Sequence, residues 1–113
     1  MNTYYTGLFS EWRAKMFLRL HGYRILKSRY VTGKNTNRAE IDIIAKRKNV
    51  IAFIEVKCRP DLQTALDAVT PAQIQRLRNA ADTYLAQKHW LGDARFDVIA
   101  VCGRKIYWVK GAI

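Results

Sequence analysis

Two β-rich runs around a short charged turn, AEIDIIA beginning at Ala39 and VIAFIEVKC ending at Cys58, constrain this chain more than any other feature. Their Ile, Val and Phe content favours strands, and the turn from Lys46 to Asn49 folds them back as an antiparallel hairpin. Strand side chains alternate between faces, so Glu40 and Asp42 are expected on one face with Ile41 and Ile43 on the other. The same rule groups Glu55 with Lys57, opposite Ile54, Val56 and Cys58. The two charged faces must coincide, because a slip of one residue would set carboxylates against apolar side chains. Two registers satisfy that condition. A turn centred on Lys48 and Asn49 sets Asp42 opposite Glu55 and Glu40 opposite Lys57; the next tighter one sets Glu40 opposite Glu55.

In either register carboxylates lie within roughly 5 Å of one another. At that distance they repel unless a cation, a proton or Lys57 stands between them. One reading is an edge hairpin stitched by ion pairs among Glu40, Asp42, Glu55 and Lys57. It accounts for Lys57, but not for acids converging from both strands. The other reading is a metal site, since Mg²⁺ (or Mn²⁺) takes one or two carboxylates plus waters and phosphate oxygens. An ion held by Asp42 and Glu55 would polarise a phosphate and acidify a bound water. Lys57, while protonated, would steady charge on the phosphoryl oxygens. The implied reaction is phosphodiester hydrolysis, with Asp42, Glu55 and Lys57 catalytic and Glu40 in support.

The charge balance agrees with a polyanionic partner. Lys and Arg number 20 against 9 Asp and Glu, a net charge of +11, and Glu11, Glu40 and Asp42 are the only acids before Lys48. Such an excess suits nucleic acid or simply a cationic, solvated face. Arg59, Arg76, Arg78 and Lys88, with Lys34 and Arg38 ahead of the hairpin, are candidate phosphate contacts. At 113 residues the chain is expected to form one domain, 1–113. Neither a bilayer-spanning apolar run nor a signal-peptide pattern occurs, so a cytoplasmic location is expected, with no membrane partner. Cys58 and Cys102 lack metal or redox spacing and read as reduced core residues.

Around the hairpin, Phe9, Trp12, Met16, Phe17 and Leu20 recur at helical spacing and predict a helix from Gly7 to His21 with Trp12 in the core, ended by Gly22. Tyr23 to Tyr30 suits a strand and Thr32 to Asn37 a loop. Thr70, Pro71 and Gln73 read as N-cap, first helical position and capping box of a helix reaching about His89. RFDVIAV and KIYWVK close the chain as two strands. The order is α-β-β-β-α-β-β.

AEIDIIA and IAFIEVKCR resemble the G-E-I-D-L-I and F-V-E-V-K-x-R motifs of the YraN family, a bacterial group also called uncharacterised protein family 0102. SEWRAKMFLRLHGYRIL, VTPAQIQRLRNAADTYL and RFDVIAV are similar to its first helix, second helix and last core strand, so the likeness covers nearly the whole chain in order. The resemblance implies a restriction-endonuclease-like (PD-(D/E)XK) α/β fold: an αβββαβ core, a mixed central sheet flanked by helices, and an added C-terminal strand. It places the nuclease motif on Asp42, Glu55 and Lys57. It also aligns Glu11 with an acidic residue that joins the metal site in nucleases resembling Holliday-junction resolvases. Glu11 otherwise reads as a helix-dipole residue, although it lies beside Ala14 and Leu18 and so can point inward.

Ala39 stands where the family usually has Gly, and the loop from Thr32 to Arg38 looks longer than usual. Gln73 stands where many members have Lys; its capping-box role is a sufficient structural explanation, and it is kept as a candidate support for the site beside Glu11 and Glu40. The expectation is thus a metal-dependent endonuclease acting on DNA in preference to RNA, including branched DNA. The alternative is a non-catalytic nucleic-acid-binding module that keeps the nuclease fold. Cutting both strands of a junction would suit a homodimer, for which the sequence carries no specific signal.

Overall fold

The computed structural model describes residues 3–33 and 38–113, with side chains from Thr6 onward. Lys34 and most of the loop before the hairpin lie outside the described residues. The elements are α1 (Thr3–Leu20), β1 (Arg24–Thr32), β2 (Ala39–Arg47), β3 (Val50–Cys58), α2 (Leu62–Asp67), α3 (Pro71–Gln87), β4 (Asp93–Cys102) and β5 (Lys105–Val109). The five strands form one sheet in chain order, with β3 and β4 parallel and every other neighbour antiparallel. The result is a mixed sheet flanked by helices. Helix α2, capped by Asp61 through Thr64 N, was not anticipated; its six residues are too few to display a helical period. No helix among the described residues is long and apolar enough to cross a membrane.

The hairpin β2–β3 sits inside the sheet, not at its edge. Its register runs from Arg47↔Val50 to Ile43↔Ile54, which fits a turn centred on Lys48 and Asn49. Both faces are covered. Ile43, Ala45, Ala52 and Ile54 pack with Ala14 and Leu18 of α1, while Ile41, Ile44, Ile51 and Phe53 pack with Leu77, Ala80 and Tyr84 of α3. A strand buried on both faces needs a continuous apolar run, which is what VIAFI supplies.

Two sequence expectations need correction here. Strict alternation would place Ile41 with Ile43, yet Ile41 belongs to the α3 side and Ile43 to the α1 side. The strand therefore changes its facing around Asp42. On the neighbouring strand, Arg29 lies between the paired residues Ser28 and Tyr30 and has a left-handed φ of 54°, so both strands are irregular at this level. The second correction concerns α1, whose buried face is Ser10, Glu11, Ala14 and Leu18 rather than the aromatic stripe. Phe9 is 57% exposed, Trp12 53% and Leu20 83%. Small residues let the helix lie close to the sheet, and the bulky ones were turned outward.

Candidate active site

The β2–β3 ladder stops at Ile43↔Ile54, and the site begins where it stops. Beyond that pair, the Val56 N–H donates to Asp42 Oδ2 at 2.8 Å, so a side-chain carboxylate takes over from the strand ladder. The ladder extended by one step sets Asp42 opposite Glu55, close enough for each carboxyl group to perturb the other's ionisation. Glu55 is only 5% exposed. Its Oε1 accepts from Gln73 Nε2 at 2.9 Å and lies 3.3 Å from Lys57 Nζ. Its Oε2 is buried and has no hydrogen-bond partner among the described residues.

That orphaned oxygen matters because a buried acceptor without a donor is costly, the more so when it carries charge. Burial first, and then the charge of Glu55, push the Asp42 carboxyl up to about 8, against the lowering effect of the Val56 N–H. Burial also raises Glu55, opposed by Lys57. Such a pair does not hold two negative charges comfortably. It needs a shared proton or a bound cation.

Open concavities lie on both flanks of the pair. One, of about 260 Å³, is lined by Asp42, Lys57 and Arg59 together with Thr6, Ser10 and Glu11 of α1. The other, of about 220 Å³, is lined by Arg38, Glu40, Gln73 and Arg76. Arg59 thus shares a concavity with Asp42 and Lys57, while Arg38 and Arg76 share one with Gln73, the residue that donates to Glu55. Glu40 is solvent-facing, 3.8 Å from Arg38, and adds negative charge near Glu55.

Two supporting residues behave differently from expectation. Glu11 lies well past the first turn of α1, which rules out a dipole role, and it is 8% exposed. Its Oε2 accepts from Arg29 Nε at 2.9 Å and from another guanidinium nitrogen at 2.7 Å. Among the described residues no three His, Cys, Asp or Glu side chains gather closely enough to hold one metal ion; Glu11 is engaged by Arg29 and lines the same concavity as Asp42. Gln73 is the other case. Thr70 Oγ1 accepts from Gln73 N at 3.1 Å, as a cap should, but the Gln73 side chain reaches Glu55 instead of closing a capping box. Sequence reasoning missed Arg29 altogether, since nothing local signals a left-handed arginine in a strand.

Fold and site together define a mixed α/β domain carrying a buried carboxylate pair and a lysine at the end of a splayed hairpin. Residues 10–101 match the Uncharacterised protein family UPF0102, and the chain belongs to that family. A UPF0102 protein of Bradyrhizobium diazoefficiens is 45% identical over 103 residues, covering 89% of this chain and 74% of the relative. One from Agrobacterium fabrum is 43% identical over 102 residues, covering 88% and 80%. One from Paramagnetospirillum magneticum is 38% identical over 97 residues, covering 84% and 75%.

Proposed function

We propose that the chain is a divalent-metal-dependent endonuclease of the PD-(D/E)XK kind that hydrolyses phosphodiester bonds in DNA, including branched DNA. The observation that carries this reading is Glu55 Oε2, buried beside Asp42 and without a hydrogen-bond partner among the described residues. An oxygen in that position fits a cation far better than it fits a structural ion pair. The donor set is all oxygen, which suits Mg²⁺ or Mn²⁺, and two carboxylates leave the remaining positions to water and phosphate. When bound, such an ion would supply Lewis acidity toward the phosphoryl group and lower the pKa of a coordinated water.

The protein's own residues account for the rest. Asp42 is oriented by the Val56 N–H through Oδ2 and Glu55 by Gln73 through Oε1, which leaves the other oxygen of each carboxylate outside those two bonds. Lys57 offsets the charge of Glu55 and borders the α1-side concavity, where a phosphoryl oxygen can reach its ammonium. Arg59 beside Asp42, and Arg38 and Arg76 in the concavity beside Gln73, suit backbone phosphates, with Lys34 a further candidate.

Cleavage of linear, nicked, single-stranded and four-way-junction DNA with Mg²⁺ or Mn²⁺ tests the reading, using Asp42→Ala, Glu55→Ala and Lys57→Ala beside the parent. Metal-dependent cutting lost in all three variants is the expected result. DNA binding with no cutting on any substrate sinks it in favour of a non-catalytic binding module.

A further inference from the structure

At the end of β2 remote from Asp42, cross-strand pairing sets Arg24 directly against Lys46. Like charges directly opposed on neighbouring strands destabilise a sheet. Nothing nearby cancels them: among the described residues, neither joins an ion pair, nor do Arg47, Lys48 or Lys88 beside them. Asp93, the acid that pairing across β3 brings nearest, is exposed and likewise makes none. Two turn residues with positive φ border this cluster. Lys48 takes a φ of 54° that glycine would adopt without strain. Gly22, at φ 84°, leaves open the space in which the Arg47 guanidinium lies; a Cβ there would sit 3.1 Å from Arg47 Nε.

Two concavities meet at these residues, sharing Arg24 and Lys46. One, of about 290 Å³, is bordered by Gly22, Arg47 and Lys48. The other, of about 250 Å³, is bordered by Lys88 and Trp90. Lys46 Nζ lies 5.0 Å from the Trp90 ring centroid. An aromatic ring therefore holds one ammonium at the cavity wall, where no acid does so. A sequence that keeps opposed cations with no acid pairing them beside two open concavities has a local conflict that an anionic ligand resolves.

We propose that this hairpin end is a second phosphodiester-binding site, in which Arg24, Lys46, Arg47 and Lys48 hold backbone phosphates of the same nucleic acid that the Asp42–Glu55 site cuts. The proposal rests on the nuclease reading for its choice of polyanion. Along β2, Asp42 and Lys48 stand roughly 20 Å apart at about 3.3 Å per residue, which is about six base steps of duplex DNA. The exposed edge strand β1 carries Lys27 between the two ends, so one backbone can run from one site to the other.

The test compares the parent with the triple variant Lys46→Gln, Arg47→Gln, Lys48→Gln. Relief of the Arg24–Lys46 opposition keeps the variant's melting temperature at or above the parent's, which separates lost binding from lost folding. On a duplex of about 30 base pairs, Kd is expected to rise about tenfold, and the slope of log affinity against log salt to become shallower by about 2 to 3. An unchanged Kd and salt slope overturns the proposal. So does a triple variant that loses adsorption to phosphatidylserine–phosphatidylcholine vesicles while binding DNA as the parent does, which assigns the patch to a lipid surface. The two readings fail separately. A parent that cuts nothing, with DNA affinity lost in the triple variant, sinks the nuclease and leaves the second site standing; cutting and binding that are unaffected by the triple change do the reverse. A parent with no affinity for DNA or RNA overturns both.

Discussion

Gln73 Nε2 donates to Glu55 Oε1 across 2.9 Å, so the first turn of α3 fixes the orientation of the buried carboxylate on β3. The same turn is capped separately, through Thr70 Oγ1 and the Gln73 N–H. The two roles come apart by mutation. Gln73→Ala is expected to weaken Mn²⁺ binding about tenfold, the usual size of losing a hydrogen bond to a metal-ligating group, with stability changed by no more than about 1 kcal/mol. Thr70→Ala should do the opposite, losing about 1 kcal/mol of stability while leaving the metal isotherm in place. Calorimetric titration and urea unfolding of both variants check this; equal metal affinity for Gln73→Ala and the parent would remove Gln73 from the site.

The raised carboxyl of Asp42 gives a pH dependence of definite sign. Its ordinary value is 3.8, and burial together with Glu55 brings it to about 8 in the folded chain. Between those values the folded chain holds a proton that the unfolded chain has released, so this group lowers stability progressively as pH rises from about 4 to 8. Asp42→Asn removes that titration. The variant's stability relative to the parent is expected to grow by at least about 1 kcal/mol between pH 5 and pH 8, without added metal. Saturating Mg²⁺ should narrow the gap at pH 8 by stabilising the ionised parent. A gap that stays flat or shrinks with pH contradicts a buried, proton-sharing pair.

The hairpin and its register were legible because AEIDIIA and VIAFIEVKC meet at a turn of fixed length, and their charged ends agree in only two registers. The convergence of Asp42 and Glu55 followed from that, but not for the reason alternation supplies. Asp42 reaches the gap because β2 changes its facing between Ile41 and Ile43 and the ladder ends there. A period-two pattern cannot announce its own interruption. Helix α1 misled for a related reason: hydrophobic periodicity finds the bulky stripe, whereas the buried contact is made by Ala14, Leu18 and the polar Ser10 and Glu11. Gln73 was ambiguous in sequence, since one spacing suits both a capping box and a reach across to β3. Only the packing of α3 on the sheet decides between them.

Asp97 is fully buried on β4 and accepts from Arg95, from Trp108 Nε1 at 2.9 Å and from the Gly111 N–H at 3.0 Å. It ties β5 and the residues after it to the middle of the sheet. In contrast to Glu55, both its oxygens are satisfied by protein groups, so it reads as structural. Asp97→Ala strands the Arg95 guanidinium and the Trp108 indole, and a loss of about 3 to 5 kcal/mol is expected. Mn²⁺ affinity measured on whatever fraction remains folded at low temperature should match the parent's. A stable Asp97→Ala protein with impaired metal binding would reverse that assignment.

Glu11 and Arg29 supply the remaining discrimination, because family resemblance assigns Glu11 to the metal whereas the structure gives its Oε2 to Arg29. A direct ligand and a positioning residue predict different losses. If Glu11 acts through Arg29, Glu11→Gln keeps Mn²⁺ affinity within about threefold of the parent, far short of the collapse expected for Asp42→Asn or of the tenfold and larger losses that ligand-supporting groups show. Its cost appears instead in stability and in coupling. Arg29 is part-exposed and solvent screens the pair, so a double-mutant cycle of Glu11→Gln with Arg29→Ala should give a coupling of about 1 kcal/mol. Removing Glu11 also removes a negative charge that raises Asp42, so metal binding should become slightly less dependent on pH below 8. Zero coupling with a collapsed Mn²⁺ isotherm would move Glu11 back into the coordination sphere.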